Sequence, residues 1–282
     1  FGSEVTFNST RTEFISSAYD TSSGKIVVAY ANFGNSQYGT SIVGTVSGTG
    51  ISFGTAVVFE AATVFDTGTA YDPSAQKVAI TYRDNGNSNY GTLAVGTVSG
   101  TAISFGTPVV FEAAYSWYFA PVYDSNAEKV LILYQDVGNG QYGTGRVLQN
   151  ASTSTNLTAE NYIGITNGVV DYDEGTAAIG SAVVFESAEV DFCSATFDSN
   201  SNKVVVVYRD KGNSSSGTAA IGTISGTSIT FGTPVIYRSG ANTAYNDVVF
   251  DSNSNKVVVV YADYGNSGRG AARVGTVSGT TI

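Results

Sequence analysis

The 282 residues carry 23 acidic and 13 basic side chains, for a net charge of −10, and contain neither His nor Met. That balance excludes a nucleic-acid partner, whose phosphates need a basic patch, and disfavours an anionic membrane surface. No apolar run approaches the roughly 18 residues of a spanning helix, so no membrane insertion is expected.

Without His, Ser–His–Asp and Cys–His chemistry is out of reach, as is the commonest metal ligand. Cys193 is alone. It therefore closes no internal disulfide and is expected to be a small buried hydrophobe rather than a nucleophile. The start at Phe1 and the lack of Met suggest a processed product or a piece of something longer.

In chain order the dominant feature is a repeat. Asp198–Tyr208 (DSNSNKVVVVY) recurs letter for letter at Asp251–Tyr261, with weaker copies starting at Asp20, Asp72 and Asp124. The anchor lysines Lys25, Lys77 and Lys129 are 52 residues apart, Lys203 and Lys256 are 53 apart, and Lys129 to Lys203 spans 74. A period near 50 built from short strands is the signature of propeller blades.

Within one repeat, Thr69–Asp72 ends a first strand, Pro73–Gln76 turns, and Lys77–Tyr82 is a second strand. Thr92–Ser99 is a third, and Ile103 to Phe111 a fourth. Val204–Val207 is apolar at every position, as expected of a strand covered on both faces. No segment combines helical periodicity with caps. The fold class expected is all-β: a five-bladed β-propeller of four-stranded antiparallel blades in a single domain spanning 1–282.

The sequence Phe1–Phe7 matches the fourth strand that the last repeat lacks. Pairing of this N-terminal strand with the C-terminal blade is therefore expected to close the ring and protect its edges. The 22 additional residues of the third repeat are expected to form an insertion, 149–175, beside that blade's third strand, carrying Asp171, Asp173 and Glu174.

The repeat, with its continuation into G-N-S, G-T-V-S-G-T and S-F-G-T-P-V-V-F-E, resembles repeats in large virion and tail-fibre-like proteins of marine bacteriophages and in uncharacterised marine environmental sequences. The segment Thr155–Ile165 is similar to one that recurs in the same phage proteins. The resemblance implies a virion-surface or extracellular location, and it carries no catalytic motif.

Two sets of residues are candidates for ligand binding, both on the face shared by the connections between second and third and between fourth and first strands. The first set is the loop acids Asp84, Asp136, Asp210 and Asp263, each followed two residues on by Gly-Asn. Their carboxylates could hold sugar hydroxyls or calcium. The alternative is a turn device, in which Asp accepts backbone N–H groups.

The second set is aromatic: Phe14, Phe65, Tyr118, Phe192 and Tyr245, six or seven residues before the hairpin Asp, together with Trp117. Rings at a channel mouth stack on sugars. The alternative is that they plug the channel or pack between blades. Glu13, Asp66, Asp191 and Asp247 lie near the same mouth, but nothing in the sequence singles out the carboxylate pair that a glycosidase needs. The expectation is a non-enzymatic, cofactor-free glycan-binding module. The alternative is an assembly protein whose partners are other virion or filament subunits.

Overall fold

A computed structural model describes residues 1–149, 178–240 and 242–282. The expected insertion, with its acidic patch, lies outside the described residues save for Gln149, which ends a strand.

The described chain is all-β and antiparallel, with no α-helix. β1 (Thr12–Asp20), β2 (Lys25–Asn32), β3 (Tyr38–Ser47) and β4 (Gly50–Phe53) are followed by β5 (Val57–Asp72). β6 (Lys77–Asp84), β7 (Tyr90–Ser99) and β8 (Ala102–Phe105) lead into β9 (Val109–Asp124). β10 (Lys129–Asp136), β11 (Tyr142–Gln149) and β12 (Ala178–Ile179) precede β13 (Val183–Asp198). Then come β14 (Lys203–Asp210), β15 (Ser216–Ser225), β16 (Ser228–Phe231) and β17 (Val235–Arg238). The last three are β18 (Thr243–Asp251), β19 (Lys256–Asp263) and β20 (Arg269–Gly275).

Strand pairing sorts these into five groups, each repeating one pattern. First and second strands pair through the Asp–Lys hairpin, as Asp72 with Lys77, and second and third strands pair along their full length. The hairpin forms where the sequence puts its turn residues: Asp72 Oδ1 accepts the N–H groups of Ser74 and Ala75, and Asp198 Oδ1 those of Asn200 and Ser201. These are Asx turns, which favour Asp, Ser and Asn for this bonding.

No loop joins a fourth strand to the next first strand in three of the four crossings. β5, β9 and β13 are continuous 16-residue strands. Their first halves pair with the third strand of one group and their second halves with the second strand of the next. One 17-stranded hydrogen-bonded sheet therefore runs from β1 to β17. The fourth crossing breaks into β17 and β18 because the chain is one residue longer there: 13 steps from Arg238 to Asp251 against 12 from Glu186 to Asp198. β18–β20 consequently form a separate three-stranded sheet.

The all-apolar second strands are buried on both faces. In β14, Val204, Val206 and Tyr208 pack with Leu131, Leu133 and Val147 of the preceding group. The alternate residues Val205 and Val207 pack with Val257, Val259 and Tyr261 of the following one. Period-two alternation thus sends successive valines into two different cores.

The tyrosine ending each second strand is a second link between groups. Tyr82, Tyr134 and Tyr208 are fully buried. Each lies under a phenylalanine of the preceding outer strand, with centroids 5.2 Å apart for Phe59–Tyr82, 5.3 Å for Phe111–Tyr134 and 5.1 Å for Phe185–Tyr208. Their hydroxyls donate to Glu60 (2.9 Å), Glu112 (2.7 Å) and Glu186 (3.1 Å), the residues that follow those phenylalanines.

The expected closure of the ring is not observed. Residues 1–11 form no strand, and β20 pairs only with β19 among the described residues. Phe7 instead lies 5.2 Å from Tyr30 and 5.7 Å from Phe53, as Phe59 lies 5.2 Å from Tyr82 and 5.7 Å from Phe105. The N-terminal segment does occupy an outer-strand position, but what holds it is the ring-on-tyrosine contact with the group that follows it. The strand that would precede it is missing at that place.

Burial on both faces sets a large difference between sites. Leu133→Ala, in the core shared by two groups, is expected to lower unfolding free energy by about 2–5 kcal/mol. Val46→Ala, at an exposed position of β3, is expected to change it by less than about 0.5 kcal/mol. Urea denaturation of the two variants measures the contrast.

Candidate functional site

The first strand of each group carries a bulge opposite the buried tyrosine. Between Glu13 and Ser16, Phe65 and Gly68, Asp191 and Ser194, and Ala244 and Asp247, two residues oppose one, and β9 does the same around Tyr118. The first residue of each bulge is left-handed: Phe14 (φ 51°), Asp66 (53°), Tyr118 (55°), Phe192 (49°) and Tyr245 (52°). Bulky residues rarely adopt this conformation, and a bulge re-aims the side chain it carries. Five bulges at one repeat position turn five side chains out of the strand alternation, and Tyr118, Phe192 and Tyr245 meet in sequence. In the second group that position belongs to Asp66. Phe65 sits one residue earlier, so the aromatic spacing seen in the sequence is uniform in four groups and shifted in one.

The rings nonetheless make a row across all five groups. Centroids are 5.5 Å apart for Phe14–Phe65, 6.2 Å for Trp117–Tyr118, 5.6 Å for Tyr118–Phe192 and 5.1 Å for Phe192–Tyr245. The gap between Phe65 and Trp117 is filled by Arg83. Its guanidinium carbon lies 4.2 Å from the Phe65 centroid and 3.4 Å from that of Trp117, and Nη1 donates to Tyr115 Oη at 2.5 Å. Stacked guanidinium and rings attract through the ring quadrupole. Trp117 and Tyr118 are half-buried in the row, whereas Tyr245 at its end is 71% exposed. Arg83 was not legible as a site residue in the sequence. The cue was its position directly after the motif tyrosine, which it shares with Gln135 and Arg209.

The four carboxylates that the sequence places near the rings, Glu13, Asp66, Asp191 and Asp247, are all engaged. Asp191 pairs with Arg209, whose Nε is 2.5 Å from Oδ1, and with Lys211 at 3.5 Å. Glu13 pairs with Arg11. Asp247 Oδ1 accepts from Ser194 Oγ at 2.7 Å and from the Val248 N–H at 2.9 Å.

Asp66 accepts the Tyr118 N–H across the junction between groups. Part of its surface reaches solvent, yet enclosure by the neighbouring strands pushes its carboxyl up to about 6. Backbone N–H bonds from Tyr118 and Phe119 and the charge of Arg83 oppose that rise. Burial likewise pushes the Cys193 thiol well above its ordinary value, an environment that suppresses thiolate chemistry.

The loop acids stand apart from the row and serve the turns. Asp84, Asp136 and Asp210 are buried N-caps of one-turn 3-10 helices, their Oδ1 atoms accepting from Asn87 (3.1 Å), Asn139 (3.2 Å) and Asn213 (3.1 Å). Burial raises all three above the usual carboxylate range. Asp263 is instead gripped by Arg238, with contacts of 2.8 and 3.1 Å, which holds it below that range. The following glycine is required by the crossing strand, since a Cβ on Gly212 would lie 2.4 Å from that of Ala188. Among the described residues no group of three or more acidic or Cys side chains could hold a metal ion.

No model of a known protein family matches the chain, and no curated protein matches its sequence.

Two outcomes follow from these environments. Asp66 keeps its proton to higher pH when folded than when unfolded, so its contribution to stability is complete below about pH 4 and is lost as pH rises through about 6. The difference in unfolding midpoint between the parent chain and Asp66→Asn is expected to change across that window and to be flat above it. Asp210→Ala removes a cap and is expected to lower stability by about 0.5–2 kcal/mol, measured by denaturant titration.

Proposed function

We propose that the chain supplies five β-propeller blades and acts as a non-enzymatic, lectin-like binding module on a virion or extracellular surface, with glycan as its ligand. Each blade is one four-stranded group, its first strand innermost, and the fifth blade is completed by an outer strand equivalent to Phe1–Phe7. Support for the blade reading is the regular junction: the same faces meet between every pair of successive groups, and each first strand lies beside the next.

The observation that carries the binding reading is the row Phe14, Phe65, Trp117, Tyr118, Phe192 and Tyr245, interrupted only by a stacked guanidinium. Sugar rings present apolar C–H faces that stack on such side chains. A row with one bulge position per group offers a set of weak contacts whose simultaneous use gives avidity. The surface location rests on the resemblance of the repeat to phage virion proteins. The non-enzymatic reading rests on the mouth carboxylates, each of which is held by a cation, a hydroxyl or a backbone N–H.

A glycan array on the purified chain tests the proposal. Tyr245→Ala is expected to weaken the best glycan about tenfold, equivalent to about 1.4 kcal/mol, with no change in melting temperature because the ring is exposed. Trp117→Ala is expected to weaken binding as much and also to lower the melting temperature, since it strips the stack from Arg83. Absence of glycan binding by the folded chain would overturn the lectin reading.

A further inference from the structure

The two ends of the array carry the two halves of one junction. At every internal junction the residue two places after the anchor lysine is fully buried against the next group: Val27, Ala79, Leu131 and Val205 are each 0% exposed. Two positions further on, Ala29, Thr81, Leu133 and Val207 are also 0% exposed. In the fifth group the equivalents are Val258, only partly covered, and Val260, which is 44% exposed. Strand pairing sets Val258 between Val249 and Val274, and Val260 beside Ala272. Val249 is 56% and Val274 is 68% exposed. Five aliphatic side chains thus form one continuous bare face of β18–β20.

The outer edge of that sheet is bare as well. A Cβ on Gly39, Gly91, Gly143 or Gly217 would meet the ring of Phe59, Phe111, Phe185 or Tyr237, whereas one on the equivalent Gly270 would meet nothing within 4 Å.

The first group presents the matching half. Tyr19 is 55% exposed where its equivalent Tyr71 is buried against the preceding group. Phe7 is already seated on Tyr30 as an outer-strand phenylalanine. Gly2 lies against Thr49 as Gly54 lies against Thr101 and Gly180 against Thr227, a contact made elsewhere by the outer strand of the preceding group.

We infer that the bare face and edge of β18–β20 are covered by the β1–β3 face and the N-terminal segment of a second copy of this chain, joined head to tail by the junction that links groups within one chain. The pairing of Val57 with Ser41 fixes the register between copies: Val5 of one copy stands opposite Ala272 of the next. The two surfaces differ, so the contact is heterologous and propagates into a ring or a filament. The inference stands on the junction geometry and is independent of glycan binding.

Equimolar Val5→Cys and Ala272→Cys chains, mixed and oxidised, are expected to give a disulfide-linked dimer joined at those positions. By analytical ultracentrifugation the parent chain is expected to sediment at multiples of its single-chain mass, and Val260→Glu, at a site exposed in one copy, at the single-chain mass with unchanged circular dichroism. A parent chain that stays at single-chain mass at every concentration overturns the inference. So does a Val5→Cys/Ala272→Cys double variant that forms its disulfide only within one chain, because the chain's own end is then the occupant. Multimers that persist in Val260→Glu without the mixed disulfide overturn it too.

Discussion

Everything in this fold depends on a second strand that must be covered on both faces. A run such as Val204–Val207 has no solvent side, so each group needs a neighbour before and a neighbour after it. Burying a valine or leucine side chain is worth about 1.5–3 kcal/mol, and the three strands β6, β10 and β14 are buried between two neighbouring groups. The outer strand has to travel with this packing. Its phenylalanine caps the tyrosine of the next group, and its glutamate takes that tyrosine's hydroxyl. The crossing strand is therefore continuous wherever its length allows, and the single extra residue before β18 is enough to break it.

The bulges follow from the same geometry. A strand that leaves one group and enters the next must change direction just where it passes the buried tyrosine, and two residues opposite one provide the bend. That the bent position carries Phe14, Tyr118, Phe192 and Tyr245 converts a structural necessity into a line of aromatic surface. Asp66 is the exception, and it uses the position to accept the Tyr118 N–H from the next group.

Much of this was legible in the letters. The copies of DSNSNKVVVVY located the hairpin and the doubly buried strand, because alternation is absent only where both faces are covered. The Asp-x-Gly-Asn loops lie against the crossing strands, as Gly212 does against Ala188. The sequence left open whether their acids bind a ligand or cap a turn, and three of the four proved to be caps. Other features were hidden because they depend on contacts between repeats. Arg83 between Phe65 and Trp117 is one, and the Tyr–Glu bonds that span 22 residues are another. Spacing alone also grouped Phe65 with the other four rings, although the equivalent backbone position in that group is Asp66. The terminal pairing inferred from matching letters is not formed: residues 1–11 are in no strand, and Phe7 is held by the group that follows.

The identical stretches Asp198–Tyr208 and Asp251–Tyr261 occupy unlike surroundings, and this bears on how the chain comes apart. A protein whose units touch only their neighbours gains stability unit by unit and interface by interface. The β14 copy has interfaces on both sides, whereas the β19 copy has one and belongs to a separate three-stranded sheet. In a single copy, loss of order is therefore expected to start at β18–β20 and to move inward like the fraying of a rope's end. The eleven residues shared by both copies are expected to exchange their amide protons at rates set by position in the array and not by sequence.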